Sequence, residues 1–241
     1  MKLLRLATTL NPTSAPYNQF SLGLKKAVDQ TYCSLLKNDI PIEDSIVGFH
    51  GDGSVFKMIK VVRNLIKQHN FDVVHIHSGV TGIILLISAF PFKISIFKKT
   101  VFTLHNSWNV IKFRNQILNF VVMLFARKIC TCGKSSRDSI PKVINFFIAK
   151  KTIAIVNGFD NERIDKIKNN KEATKHFSDN SLLKILCVGA LNNTKNQISL
   201  LKAFKEITVD CDLVFLGDGA NKETLTKFSQ QLNSNLDIRF K

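Results

Sequence analysis

Short apolar runs alternate along this chain with stretches whose apolar residues recur every three or four positions. Leu3–Thr8 reads as a strand, followed by a loop through Pro12, Pro16 and Tyr17 and a helix from about Phe20. Thr31–Leu36 is a second strand. Val55, Met58, Ile59, Val62, Leu65 and Ile66 then fall at helical spacing. Phe71–His77 is a short β-branched strand, Gly82–Phe90 an apolar helix and Thr100–His105 a strand. Asn115–Ala126 reads as a helix, Lys128–Cys132 as a strand, Lys134–Phe146 as a helical stretch bent at Pro141, and Thr152–Val156 as a strand. Parallel strands need crossovers and helices supply them, so this alternation predicts a doubly wound α/β domain over residues 1–157.

Residues 158–181 are polar and charged without an apolar period, which predicts a linker with some helix. Beyond it Leu183–Val188, Ile198–Ile207, Leu213–Leu216, Lys222–Leu232 and Leu236–Phe240 give β-α-β-α-β. That is one mononucleotide-type half of a doubly wound sheet, so residues 182–241 read as the first half of a second, incomplete domain. There is no internal repeat.

Composition adds a compartment and a charge. Of 241 residues 45% are hydrophobic, ordinary for a globular protein. The longest apolar runs, Gly79–Phe92 and Ile117–Ala126, fall short of the roughly 20 residues a membrane span needs. The five cysteines sit mostly inside apolar runs, as reduced core thiols would in a cytoplasmic protein. Cys130-Thr131-Cys132 lacks a second cysteine pair, His75 and His77 lack a third ligand, and no metal or other cofactor is expected. The formal net charge is +16, and residues 53–151 carry it, with 16 Lys or Arg against two acidic residues, Asp72 and Asp138. Such one-sided charge suggests an anionic partner. Neither a zinc-finger pattern nor an RNA-recognition aromatic motif is present, which argues against nucleic acid.

The chemistry concentrates in ILCVGALNNTKNQISLLKAF, Ile185–Phe204. A strand ending in glycine and a loop entering a helix form an anion site in outline. Glycine admits a phosphate close to the backbone, and the first helical amides carry partial positive charge. Thr194 and Gln197 have capping-box spacing, which would start the helix at Thr194 and make Lys195 its first residue. Spacing alone fits a solvated surface lysine equally well.

That stretch, followed by LVFLGDG (Leu213–Gly219), resembles the donor-domain signature of the retaining GT-B glycosyltransferases of family 4. FDVVHIHSG (Phe71–Gly79), TVFTLHN (Thr100–Asn106), CGKSSRDSI (Cys132–Ile140) and IAIVNGFD (Ile153–Asp160) resemble the same family's acceptor-domain strands and interdomain link, in the same order. The resemblance implies two Rossmann-like domains facing a cleft, the first for acceptor and the second for a nucleotide-sugar. Gly189 and Lys195 match the donor-diphosphate contacts, Gly217 and Gly219 the nucleotide-side turn, and His105 the cleft histidine. Asn157, Gly158 and Asp160 match the interdomain turn. Three features depart from the family. Ala190 stands where an arginine is usual, removing a bidentate phosphate contact. The chain also stops before the family's glutamate pair, and the loop Ser14–Asn18 lacks the glycine pair of many members.

The implied function is transfer of a sugar from a nucleotide-sugar to a polysaccharide or lipid-linked acceptor, in cell-surface glycan synthesis. From spacing alone His105 is a hydrogen-bonded structural histidine; from the resemblance it is a cleft residue. Tyr17 and the basic face of the 53–68 helix, Lys57, Lys60 and Arg63, are candidates for the acceptor or an anionic membrane surface, though a solvated crossover helix would carry the same charges. The chain is thus expected to be cytoplasmic and peripheral at the inner face of a membrane. The competing reading is a truncated, non-catalytic fragment that binds acceptor or membrane, or takes the missing half from a second polypeptide. In that case Leu183–Val188 would present an unpaired edge.

Overall fold

The structure, a computed structural model, describes residues 1–10, 24, 27–37, 46–158, 165, 183–232 and 236–241. Tyr17, the loop Ser14–Asn18, the helix expected from Phe20, Asp160 and almost all of the 158–181 linker lie outside the described residues. The chain divides into two compact units, Met1–Asp160 and Asn161–Lys241.

The first unit is built on a seven-stranded sheet, entirely parallel, in the order β3-β2-β1-β4-β5-β6-β7. Its strands are β1 (Lys2–Ala7), β2 (Asp29–Ser34), β3 (Ile46–His50), β4 (Val73–Ile76), β5 (Thr100–Leu104), β6 (Lys128–Thr131) and β7 (Thr152–Ala154). Its helices are α1 (Val55–Gln68), α2 (Gly79–Ala89), α3 (Phe113–Phe125), α4 (Lys134–Asp138) and α5 (Lys142–Ile148). The strand order reverses between β1 and β4, and in doubly wound sheets ligands bind beyond the strand ends at such a point.

Helix α1 follows its apolar period. Ser54 caps it by accepting the Lys57 amide at 3.3 Å, and Met58, Val62, Leu65 and Ile66 are buried. Helix α2 begins at Gly79, three residues before the expected Gly82, because Ser78 caps it and the two glycines are packing positions rather than breakers. A Cβ on Gly79 would lie 2.5 Å from Asn119 Oδ1, and one on Gly82 would lie 2.4 Å from Val122 Cγ2. Glycine is what lets α2 and α3 approach this closely. Strand β3 is the element the apolar pattern missed.

The second unit holds β8 (Leu183–Val188), α6 (Gln197–Ala203), β9 (Cys211–Leu216), α7 (Lys222–Ser229) and β10 (Leu236–Phe240). Its three strands are parallel in the order β10-β9-β8, and its core gathers Leu191, Leu201, Phe204, Leu213, Phe215 and Leu225. Strand β8 pairs on one side only among the described residues, and Leu186 and Val188 stand exposed on it.

Candidate functional site

In the second unit the C-terminal ends of the strands are stitched together by backbone. The Gly189 amide donates to the Leu216 carbonyl at 3.0 Å, and the Leu191 amide to the Asp218 carbonyl at 2.9 Å. The Asn221 amide returns to the Leu191 carbonyl at 3.0 Å. The two glycines after β9 are required by this approach. A Cβ on Gly217 would lie 2.3 Å from the Gly189 carbonyl oxygen, and one on Gly219 2.4 Å from that of Leu191. Both also have positive φ, 146° and 158°.

Lys195 lies over this platform. A Cβ on Gly189 would meet the lysine's Cε at 3.7 Å and its Cδ at 3.9 Å, so the methylene stem runs across the glycine. Lys195 is exposed, and no ion pair among the described residues uses it. Gly189, Lys195, Gly217 and Gly219 are thus brought together by the loops after β8 and β9.

The helix start is corrected by the structure. Helix α6 begins at Gln197, not Thr194, and Lys195 sits in the preceding turn. Asn196 is left-handed at φ 52°, a conformation asparagine tolerates better than most residues. The Lys195 amide is held by Asn192 Oδ1 at 3.1 Å, and buried Gln197 donates its side-chain amide to the Ala190 carbonyl at 2.9 Å. Asn192 and Gln197 therefore shape the loop, where the capping-box spacing assigned that work to Thr194.

In the first unit three neighbouring strands each deliver a polar side chain one residue past their ends: His77 after β4, His105 after β5 and Cys132 after β6. His77 Nδ1 and His105 Nε2 are 3.0 Å apart, and Cys132 Sγ lies 3.6 Å from His105 Nδ1. Burial pushes the Cys132 thiol up, which keeps it protonated and able to donate to His105. The chain of protons then runs from Cys132 to His105 to His77. Burial lowers His105, and lowers His77 well below its ordinary value, so both rings are neutral at pH 7. The sequence signal for Cys132 was its register, since it ends its strand as His77 and His105 end theirs.

His75 lies one pleat inward and is bound differently. Buried Arg5 reaches its Nδ1 at 2.9 Å and can only donate, so the His75 proton is on Nε2, which reaches Thr103 Oγ1 at 2.7 Å. Burial first, and the Arg5 charge second, push His75 down to about 3. Among the described residues no group of three His, Cys, Asp or Glu side chains is placed to hold a metal ion.

The candidate basic face of α1 is partly engaged. Lys57 pairs with Asp52, and Arg63 donates to the carbonyls of Ile87 at 3.0 Å and Ser88 at 3.2 Å. Lys60 is exposed.

These elements define a protein of the doubly wound α/β class with glycine-built strand ends. A sequence profile described as Glycosyltransferase Family 4 matches residues 34–163, and one described as Glycosyl transferases group 1 matches residues 162–241. The chain belongs to glycosyltransferase family 4, whose activity is sugar transfer. A comparison with curated proteins finds no match. Among solved structures, HepE of Anabaena in complex with UDP and glucose is 16% identical with a TM-score of 0.67, over all of this chain and 70% of that one. The lipopolysaccharide outer core galactosyltransferase WaaB is 13% identical at TM-score 0.64, over all of this chain and 68% of that one. The catalytic domain of starch synthase IV from Arabidopsis thaliana, bound to ADP and acarbose, is 12% identical at TM-score 0.68, over all of this chain and 74% of that one. These likenesses identify the fold as GT-B. No helix among the described residues is long and apolar enough to cross a membrane.

Proposed function

We propose that this chain transfers a sugar, with retention, from a nucleotide-sugar to a polysaccharide or lipid-linked acceptor in cell-surface glycan synthesis. The observation that carries the reading is the Lys195 stem lying on Gly189, with Gly217 and Gly219 bringing the adjoining loop into backbone contact. This leaves a cation over a tightly turned, glycine-built backbone, which suits a diphosphate. Lys195 and the amides beyond Gly189 hold the donor diphosphate, and Gly217 and Gly219 form the nucleotide side. As the sugar leaves, charge grows on the diphosphate, and a fixed cation stabilises it more than it stabilises the ground state. The departing diphosphate takes the acceptor proton. His105, its ring oriented by His77 and Cys132, is the first unit's candidate cleft residue. No metal or cofactor is needed in this scheme, and the acceptor approaches the basic first unit on the cytoplasmic side of a membrane.

The test is calorimetry with UDP- and ADP-sugars, paired with a transfer assay. A charge-assisted hydrogen bond is worth roughly 1.5–3 kcal/mol, so Lys195→Ala should weaken donor binding by about ten- to a hundred-fold with an unchanged melting curve. His105→Ala should lower turnover more than donor affinity. Equal donor binding by wild type and Lys195→Ala would remove the proposal.

A second reading is supported by β8, whose one side is unpaired among the described residues and whose exposed Leu186 and Val188 ask for a neighbour. There the chain is non-catalytic, or acts with a second polypeptide that completes the donor unit. A folded protein silent toward every nucleotide-sugar would favour it.

A further inference from the structure

The first unit carries an apolar surface that none of the chemistry above uses. On α5, Phe146 is 84% exposed, Val143 75% and Phe147 58%. On α3, Phe113 is 77% exposed and Ile117 50%, with Val110 just before the helix at 70%. The two helices are neighbours, because the Phe120 and Phe147 rings meet edge-on at 6.2 Å between centroids. Phe113, Ile117 and Phe120 lie at four- and three-residue steps, on a different side of α3 from buried Asn119, Val122 and Met123. The outward faces of α3 and α5 therefore form one continuous stripe rich in phenylalanine. A soluble chain rarely leaves aromatics this bare in one place without a partner.

Charge identifies the partner. Lys142 opens α5 and Lys150 follows it, both exposed and spaced four residues before and after Phe146. Lys112 and Arg114 flank Phe113 and are also exposed. Between Lys112 and Lys151 the one acidic residue is Asp138, already paired with Arg137 at 3.0 Å. A protein partner of ordinary composition would not call for so complete an exclusion of carboxylates. Aromatics ringed by lysine and arginine match the interface of an anionic bilayer, with rings below the headgroups and cations at the phosphates. The face of α1 competes poorly for this role. Lys57 and Arg63 are engaged within the protein, and exposed Phe92 lies under Arg63 and Lys67 at 5.9 and 4.8 Å.

We infer that the outward faces of α3 and α5 dock on an anionic lipid surface, with Phe113, Val143, Phe146 and Phe147 inserted and Lys112, Arg114, Lys142 and Lys150 on the headgroups. This deepens the membrane part of the proposed function by moving the contact from α1 to α3 and α5. It stands independently of donor binding.

The experiment is flotation of the whole chain with phosphatidylcholine vesicles, with and without phosphatidylglycerol, at low and high salt. Wild type should float with the anionic vesicles and stay partly bound in high salt, because inserted rings are not screened. Phe113→Ser with Phe146→Ser should cut the bound fraction about ten-fold, Lys142→Glu with Lys150→Glu should make binding fail at lower salt, and Lys60→Ser should change neither. Phe146→Trp gives an independent reading: its emission should shift to the blue with anionic vesicles and be quenched by brominated lipid. Serine variants that float like wild type, a tryptophan that stays in water, or no vesicle binding by wild type would each overturn the inference. So would a concentration-dependent dimer that the serine variants abolish, since the face would then meet a second copy. Donor calorimetry on the serine variants separates the two proposals: it should be unchanged whether or not the vesicles bind.

Discussion

Lys195 is placed by its carbon chain rather than by a counter-ion. The methylenes lie on Gly189, Asn192 holds the lysine's own amide, and no described carboxylate competes for the ammonium group. The neighbouring Ala190 is exposed, and only its carbonyl is engaged, by Gln197. A longer side chain there would meet no core. Ala190→Arg should therefore fold normally and, by adding a planar two-pronged donor beside Lys195, tighten nucleotide-diphosphate binding about ten-fold or more. Calorimetry with UDP decides it, and an unchanged constant would place the diphosphate elsewhere. The sequence showed Gly189 and Lys195 as a pair because a strand, a glycine and a lysine follow one another closely. It did not show the turn between them. Thr194 and Gln197 mimic a capping box, and only the left-handed Asn196 reveals that the helix waits until Gln197.

Strand ends, more than strands, carry the candidate chemistry. The loops after β8 and β9 touch through backbone at Gly189, Gly217, Leu191 and Gly219, so a methyl group at Gly217 or Gly219 must push two loops apart. Gly217→Ala should destabilise the second unit by about 2–3 kcal/mol and weaken donor binding with it. Gly133→Ala should do neither, since a Cβ there meets nothing within 4 Å. Urea denaturation followed by tryptic release of residues 183–241 would measure the difference, and equal stability of the two variants would deny the close approach. Elements buried on both faces were the most legible: β1, β5 and β9 are buried along nearly their whole length and so read as apolar runs. Strand β3 escaped because Ile46-Val47-Gly48-Phe49-His50 is short, interrupted by glycine and at the sheet edge, where Val47 is exposed and Phe49 only half-buried. The row His77, His105, Cys132 was equally hidden. Its members are far apart in sequence and become neighbours only once β4, β5 and β6 are known to pair in register.

The two units should answer differently to acid. His75, His77 and His105 all belong to the first, and all are held neutral by burial, His75 and His77 also by Arg5. An unfolded chain protonates such rings near the ordinary value of 6.5, whereas the native unit holds His75 down to about 3. Above pH 6.5 neither state binds the proton and the stability is intact. Below it the unfolded state gains protons that the native state refuses, so stability falls as the pH drops, by up to about 1.4 kcal/mol per pH unit for each such ring. Between pH 6.5 and 5 ordinary carboxylates are still ionised, which isolates the histidines. The described part of the second unit contains no histidine. At pH 7.5 its small core and one-sided β8 should make residues 183–241 the first region to exchange amide hydrogens and to be cut by protease. Acidification to pH 5 should then narrow the gap, because the first unit weakens while the second does not. His75→Gln should flatten that response, with Arg5 still offered a carbonyl acceptor. Parallel loss of protection in both units, or a first unit indifferent to pH between 7.5 and 5, would mean that the three rings are not held neutral as a group. The order Cys132 to His105 to His77 would then lose its physical basis, and the fixed orientation of the His105 ring with it.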